Sequence, residues 1–141
     1  MANIGKPIKI DRLGPQPWED CRGHALLWAK RSNNPDWVQT LYGQDLKTAL
    51  FNRVDFAMKH YEEYCVPHWD VINEMVDQGA QNHTFFLDHT GDPELREKVF
   101  KHAKVLSPDT MFFVNDCGII LNKYGRSELY ENKFNWATIP H

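Results

Sequence analysis

Three apolar runs in this 141-residue chain end in, or contain, side chains suited to acid–base or hydrogen-bonding chemistry. His24 and Trp28 lie in Arg22-Gly23-His24-Ala25-Leu26-Leu27-Trp28-Ala29. Asn73 and Glu74 close Trp69-Asp70-Val71-Ile72-Asn73-Glu74, and Asn115 and Asp116 close Thr110-Met111-Phe112-Phe113-Val114-Asn115-Asp116. A lone acidic residue at the end of such a run more often caps a helix or meets solvent. Polar groups at three successive runs together point to one site. Glu74 is the best candidate for an acid, because Val71, Ile72 and Met75 around it would remove water. Desolvation raises a carboxyl pKa, as a general acid requires. Strict strand alternation sends Asn73 and Glu74 to opposite faces, so both can touch one ligand only where the strand ends or twists.

The elements that would position these groups follow from periodicity. Residues 1–21 read as an irregular lead-in with three prolines and two glycines. Residues 22–29 form a buried strand, and Ser32-Asn33-Asn34-Pro35-Asp36 a loop by turn chemistry. From Gln44 to about Tyr64, Leu46, Leu50, Val54, Met58 and Tyr61 recur at helical spacing, giving an amphipathic helix of about six turns. Pro67 blocks its continuation, and 68–74 is the next strand. Residues 77–91 are polar and read as a long loop. Asp92-Pro93-Glu94 is a helix start with a capping Asp, a Pro at the first helical position and acid in the first turn. Leu95, Val99, Ala103 and Leu106 mark the buried stripe of that helix, Ser107-Pro108-Asp109 ends it, and 110–116 is a third strand. Residues 123–141 are weakly patterned, a short helix with a tail. The order strand–helix–strand–helix–strand, with strands apolar on both faces, predicts an α/β fold with a parallel sheet covered by helices. In such folds functional groups gather at the C-terminal ends of the strands.

Composition narrows the function classes. The length fits one domain with its own core, and 42% hydrophobic residues with 13% aromatic argue for a globular chain. A formal charge of −3 and a pI near 6.1 disfavour a nucleic-acid partner. No apolar run of membrane-spanning length is present, and Met1–Pro7 shows no secretory signal. Cys21, Cys65 and Cys117 are odd in number and lack Cys-x-x-Cys spacing, against a disulfide scaffold or zinc ribbon. His83 and His89 fall in the 77–91 loop without metal-ligand spacing and read as solvated, so no metal and no cofactor is expected.

The quoted runs, together with Pro35-Asp36-Trp37-Val38, resemble glycoside hydrolase family 10, whose members are mainly endo-1,4-β-xylanases built on a (β/α)₈ TIM barrel. The spacing fits as well, with 50 residues from His24 to Glu74 and 42 from Glu74 to Asp116. The resemblance covers about residues 22–122. It implies that the chain supplies about strands 3 to 5 of an incomplete barrel. It also implies that Glu74 is the acid/base of a retaining mechanism acting on xylan-type β-1,4-linked polysaccharide. Asn73 would bond the 2-hydroxyl of the sugar being cleaved, His24 and Trp28 would line its subsite, and Asn115 and Asp116 would support the site from behind. A cis His24–Ala25 bond and a secreted location are implied too. The chain departs from the family pattern at Ala29, where many members have a second His, and at Cys117-Gly118, where many have Tyr-Asn. The nucleophilic Glu of strand seven, the Gln and His of strand six and the Lys of an early Asn-Glu-Met-Lys motif have no counterpart. The chain is therefore expected to be a fragment. The other reading of the same residues is a non-catalytic carbohydrate-binding or extracellular matrix protein of hydrolase descent.

Overall fold

The computed structural model describes residues 21–64, 66–74 and 84–116. The lead-in up to residue 20, the tail 123–141 and residues 77–83 of the expected loop lie outside that set. Four strands, β1 (Arg22–Gly23), β2 (Leu27–Trp28), β3 (His68–Asn73) and β4 (Met111–Asn115), form one sheet, and every pairing in it is parallel. β4 runs the length of β3 on one edge. β1 and β2 pair with the start and the end of β3 on the other, with Arg22 opposite His68 and Trp28 opposite Asn73. The run 22–29 is thus not one strand but two short ones. Between them the chain leaves the ladder, the His24–Ala25 peptide is cis, as the resemblance implies, and the Leu26 amide donates to the Asp70 carbonyl at 2.9 Å.

Helices α1 (Asp36–Gln39), α2 (Gly43–Tyr61), α3 (Phe85–Thr90) and α4 (Leu95–Leu106) complete the described fold. α2 follows the expected stripe, burying Leu46, Leu50, Val54, Met58 and Tyr61 together with Ala57, and tightens into a 3₁₀ turn over Glu62–Tyr64. It packs on the sheet face that carries Trp69, whose ring lies 5.6 Å from that of Tyr61. Trp69 also explains Gly23: a Cβ at that position would run into the indole. On the same face Ile72 and Leu27 meet Phe86, Leu95 and Val99.

Two further expectations are corrected. Residues 84–91 are not loop, because Phe85 and Phe86 dock in the core at 0% and 4% exposure and carry the short helix α3 with them. Gly91, at φ 64°, ends that helix by donating its amide to the Leu87 carbonyl. Leu106, placed in the buried stripe of α4, is 44% exposed, because it sits in the last turn, past the hold of the sheet.

The start of α4 uses the expected cap with a shift. The Asp92 carboxylate accepts the Glu94 amide at 3.0 Å, while the regular helix begins at Leu95 rather than Pro93. Asp92 also ties α4 to α2, with Lys47 Nζ at 2.7 Å and Lys98 Nζ at 3.0 Å. Hydrogen bonds from Lys47 and Lys98 hold its carboxyl below the usual 3.8, at about 2, against the opposing effect of burial. A depressed carboxylate contributes stability above its unfolded pKa and loses it as pH falls through the folded one. This contribution is therefore full above about pH 4 and lost toward pH 2. Allowing for the solvent exposure of Lys98, it amounts to about 1–2 kcal/mol. Urea denaturation of the wild type and Asp92→Asn at pH 7 and pH 2.5 is expected to show the variant weaker at pH 7, with the gap closing at pH 2.5. A gap unchanged between the two pH values would refute this assignment.

Candidate active site

The site is built at the carboxyl end of β3, where two irregularities re-aim its side chains. Asp70 is registered with Phe113, yet Ile72 is registered with Val114, so Val71 is an extra residue in β3, a β-bulge. Trp69 and Ile72 consequently both face the helices although they are three residues apart. Asp70 and Asn73 come to the opposite, open face of the sheet. One residue later the strand stops: Glu74 adopts φ 51°, a left-handed conformation that costs a non-glycine residue of the order of 1 kcal/mol. The strand therefore ends at Asn73, which is buried, with the part-exposed Glu74 just beyond it.

Local hydrogen bonds fix each group. The Glu74 amide donates to the Asn115 carbonyl at 2.7 Å. The Asn115 side-chain amide donates to Asn73 Oδ1, also at 2.7 Å, so the end of β4 orients the buried Asn73. From the other edge, Trp28 Nε1 donates to Glu74 Oε2 at 3.1 Å and holds the half-buried carboxyl over the end of the sheet. Trp28 is itself anchored, since Asn34 Nδ2 donates to the carbonyls of Trp28 and Lys30, both at 2.9 Å, and Gln39 Nε2 donates to the Asn34 carbonyl. The segment read as a plain loop from Ser32 to Asp36 is in fact a 3₁₀ turn (Arg31–Asn33) braced onto α1.

Of the six residues singled out by sequence, Trp28, Asn73, Glu74 and Asn115 are joined directly. His24 pairs instead with Asp70: its Nδ1 lies 2.9 Å from Asp70 Oδ2. Asp116 acts on Arg96. Its charge offsets part of the lowering that burial imposes on the Arg96 guanidinium pKa. His89, expected in a solvated loop, lies in α3, stacked on Tyr42 at 4.2 Å with Nδ1 3.3 Å from the Leu41 carbonyl. His83 and Met75 lie outside the described residues.

Sequence reasoning missed Asp70, Arg22 and Asn34. Asp70 is 3% exposed and takes a guanidinium and an imidazole on its two oxygens. The signal was available: an acid inside a run that is otherwise apolar on both faces must be paired if it is buried. Together these groups form an open, hydrogen-bond-rich strand end with one carboxyl aimed outward beside an indole and two amides. Such a surface suits a polyhydroxylated ligand.

The family model for glycosyl hydrolase family 10 matches residues 14–136. Endo-1,4-beta-xylanase B of Neocallimastix patriciarum is 32% identical over 100 residues, covering 67% of this chain and 11% of the relative. Endo-1,4-beta-xylanase 1 of Humicola insolens is 33% identical over 111 residues, covering 77% of this chain and 25% of the relative. Among solved structures, Xylanase10C from Cellvibrio japonicus in complex with xylopentaose superposes with a TM-score of 0.67 at 24% identity, over 84% of this chain and 26% of that one. TsXylA, an intracellular xylanase from Thermoanaerobacterium saccharolyticum in complex with xylotriose, gives a TM-score of 0.65 at 25% identity, over 82% and 40%. This chain thus spans about a tenth to a quarter of the length of these curated relatives. The open parallel sheet with its helices is a segment of a TIM barrel. With four parallel strand segments in register, the polar strand ends gathered where such a barrel keeps its chemistry, and a family match over most of its length, the chain belongs to glycosyl hydrolase family 10.

Proposed function

We propose that these residues form the acid/base half of a retaining glycosidase site acting on xylan-type β-1,4-linked polysaccharide. Glu74 protonates the departing glycosidic oxygen and later deprotonates the attacking water. Asn73 bonds the 2-hydroxyl of the sugar at the point of cleavage, and His24 and Trp28 line the same subsite. The observation that carries the reading is the Trp28–Glu74 hydrogen bond at the end of β3, at 3.1 Å, which holds the Glu74 carboxyl at the end of the sheet. The other carboxyl on this face, Asp70, is buried and engaged by Arg22 and His24, so Glu74 is the group able to exchange a proton with a ligand. Retaining hydrolysis also needs a nucleophilic carboxylate about 5–5.5 Å from the acid. In this reading a longer protein carrying these residues supplies it, and turnover belongs to that protein. Secretion, as the family resemblance implies, belongs to the same reading.

Sugar binding by this half can be tested without turnover. In a ¹⁵N-edited NMR titration of the chain with xylotriose, the Trp28 indole N–H and the Asn73 side-chain amide are expected to shift saturably, and Trp28→Ala to abolish the response. No shift at those groups up to about 10 mM, a weak-binding limit near 3 kcal/mol, would contradict the reading.

A further inference from the structure

The exposed aromatic stacks and the cavity between the C-terminal ends of α2 and α4 lie away from the groups used above. The set that carries an inference is Arg22, Asp70 and His24. Asp70 Oδ1 accepts from Arg22 Nε at 3.0 Å and also from its terminal nitrogen, while Oδ2 faces His24 Nδ1 at 2.9 Å. The Arg22 guanidinium is held a second time, 4.3 Å above the centre of the Phe113 ring. The Asp70 backbone carbonyl is occupied by the Leu26 amide. A carboxylate that already takes two guanidinium N–H groups has no hydrogen to give, so the short contact to His24 requires Nδ1 to be the donor. A neutral imidazole with a proton on Nδ1 has a bare lone pair on Nε2.

We infer that Arg22 and Asp70 are positioning residues that lock His24 as the Nδ1–H tautomer, so that its Nε2 meets the sugar as a hydrogen-bond acceptor. The sugar contact rests on the function proposed above; the tautomer does not. Asp70 is clamped by Arg22 at Oδ1, which leaves Oδ2 as the only orientation available to the imidazole. His24 is half exposed on the open face of the sheet, where a hydroxyl can reach its outer nitrogen. Arg22 thus sets the chemistry of His24 through a residue that neither ligand nor solvent touches.

The inference predicts a specific inversion. In Asp70→Asn the two Arg22 donors claim the only oxygen of the amide, which turns its NH₂ toward His24. Nδ1 must then accept, and the proton moves to Nε2. Removing the Arg22 claim as well, in Arg22→Met/Asp70→Asn, frees the amide oxygen to face His24 and restores Nδ1–H. Long-range ¹H–¹⁵N spectra of the histidines of this chain, recorded at pH 8.5 where an ordinary imidazole is neutral, read the tautomer directly. The wild type is expected as Nδ1–H, the single variant as Nε2–H, and the double variant as Nδ1–H again. A merely structural role would change stability without this reversal. The Nε2–H tautomer in the wild type, which needs no variant to fold, overturns the inference, as does a folded Asp70→Asn that keeps Nδ1–H. In the same samples, the inverted tautomer is expected to weaken xylotriose binding roughly 10-fold, with the double variant recovering it. Correct tautomers with no xylotriose binding in any sample would sustain the inference about His24 and instead contradict the proposed sugar site.

Discussion

Replacing Phe85 by Ala is expected to destabilise the chain by about 3–5 kcal/mol, the cost of emptying a fully enclosed phenylalanine site. Its ring is 0% exposed and is enclosed by Phe86 at 5.4 Å between ring centres and by His89 at 4.4 Å, with the Arg31 guanidinium 5.8 Å from its centre. α3 has only six residues, too few to hold a helix by its own hydrogen bonds, so its position depends on the two phenylalanines. Losing the ring therefore costs the packing and also releases the Tyr42–His89 stack, which ties α3 to the start of α2. Against a usual total of about 5–15 kcal/mol the loss is a large fraction of the fold. Urea denaturation followed by circular dichroism measures it. A change below about 1 kcal/mol, the level of an ordinary surface substitution, would show that α3 is not part of the cooperative core.

Glu74→Gln is expected to lower kcat on xylan by about 10²–10⁴-fold in a full-length protein carrying these residues, the usual worth of a positioned general acid. The substitution is conservative in shape. An amide oxygen still accepts from Trp28 Nε1, and the backbone contact from the Glu74 amide to Asn115 is untouched, so the geometry of the site and the KM should change little. What the amide cannot do is give a proton to the departing sugar. A raised KM with kcat preserved would mean that Glu74 binds substrate without taking part in the chemistry.

The parts of the fold that were legible in the sequence are those with long periodic signals. α2 buries residues at three- and four-residue spacing and α4 at four-residue spacing, and β3 and β4 are apolar runs bounded by Pro67 or Pro108 on one side and by polar groups on the other. What could not be read arises from tertiary context. α3 spans less than two turns, so its pair of phenylalanines shows no period. The division of 22–29 into two strands depends on where β3 offers partners. The bulge at Val71 changes which side chains share a face, and no local preference marks it; strict alternation therefore misplaces Asp70 relative to Asn73. Glu74 was found because acids at the ends of apolar runs are rare enough to notice. Asp70, just as unusual, was overlooked because its partners lie 46 and 48 residues away in the chain. The condition set for Asn73 and Glu74, a strand that ends or twists between them, is met by the left-handed backbone at Glu74.

If Glu74 is the acid that assists the leaving group, the cost of removing its carboxyl depends on how readily that group departs unaided. Glu74→Ala and the wild type, in the full-length protein, would be compared on xylan and on an aryl β-xyloside whose phenolate departs without protonation. The expected loss in kcat/KM, which reports the first step, is about 10³-fold on xylan and less than about 10-fold for the activated phenolate, because in that step only the sugar leaving group needs the proton. Equal losses on both substrates, or xylan hydrolysis undiminished by the substitution, would contradict that role for Glu74.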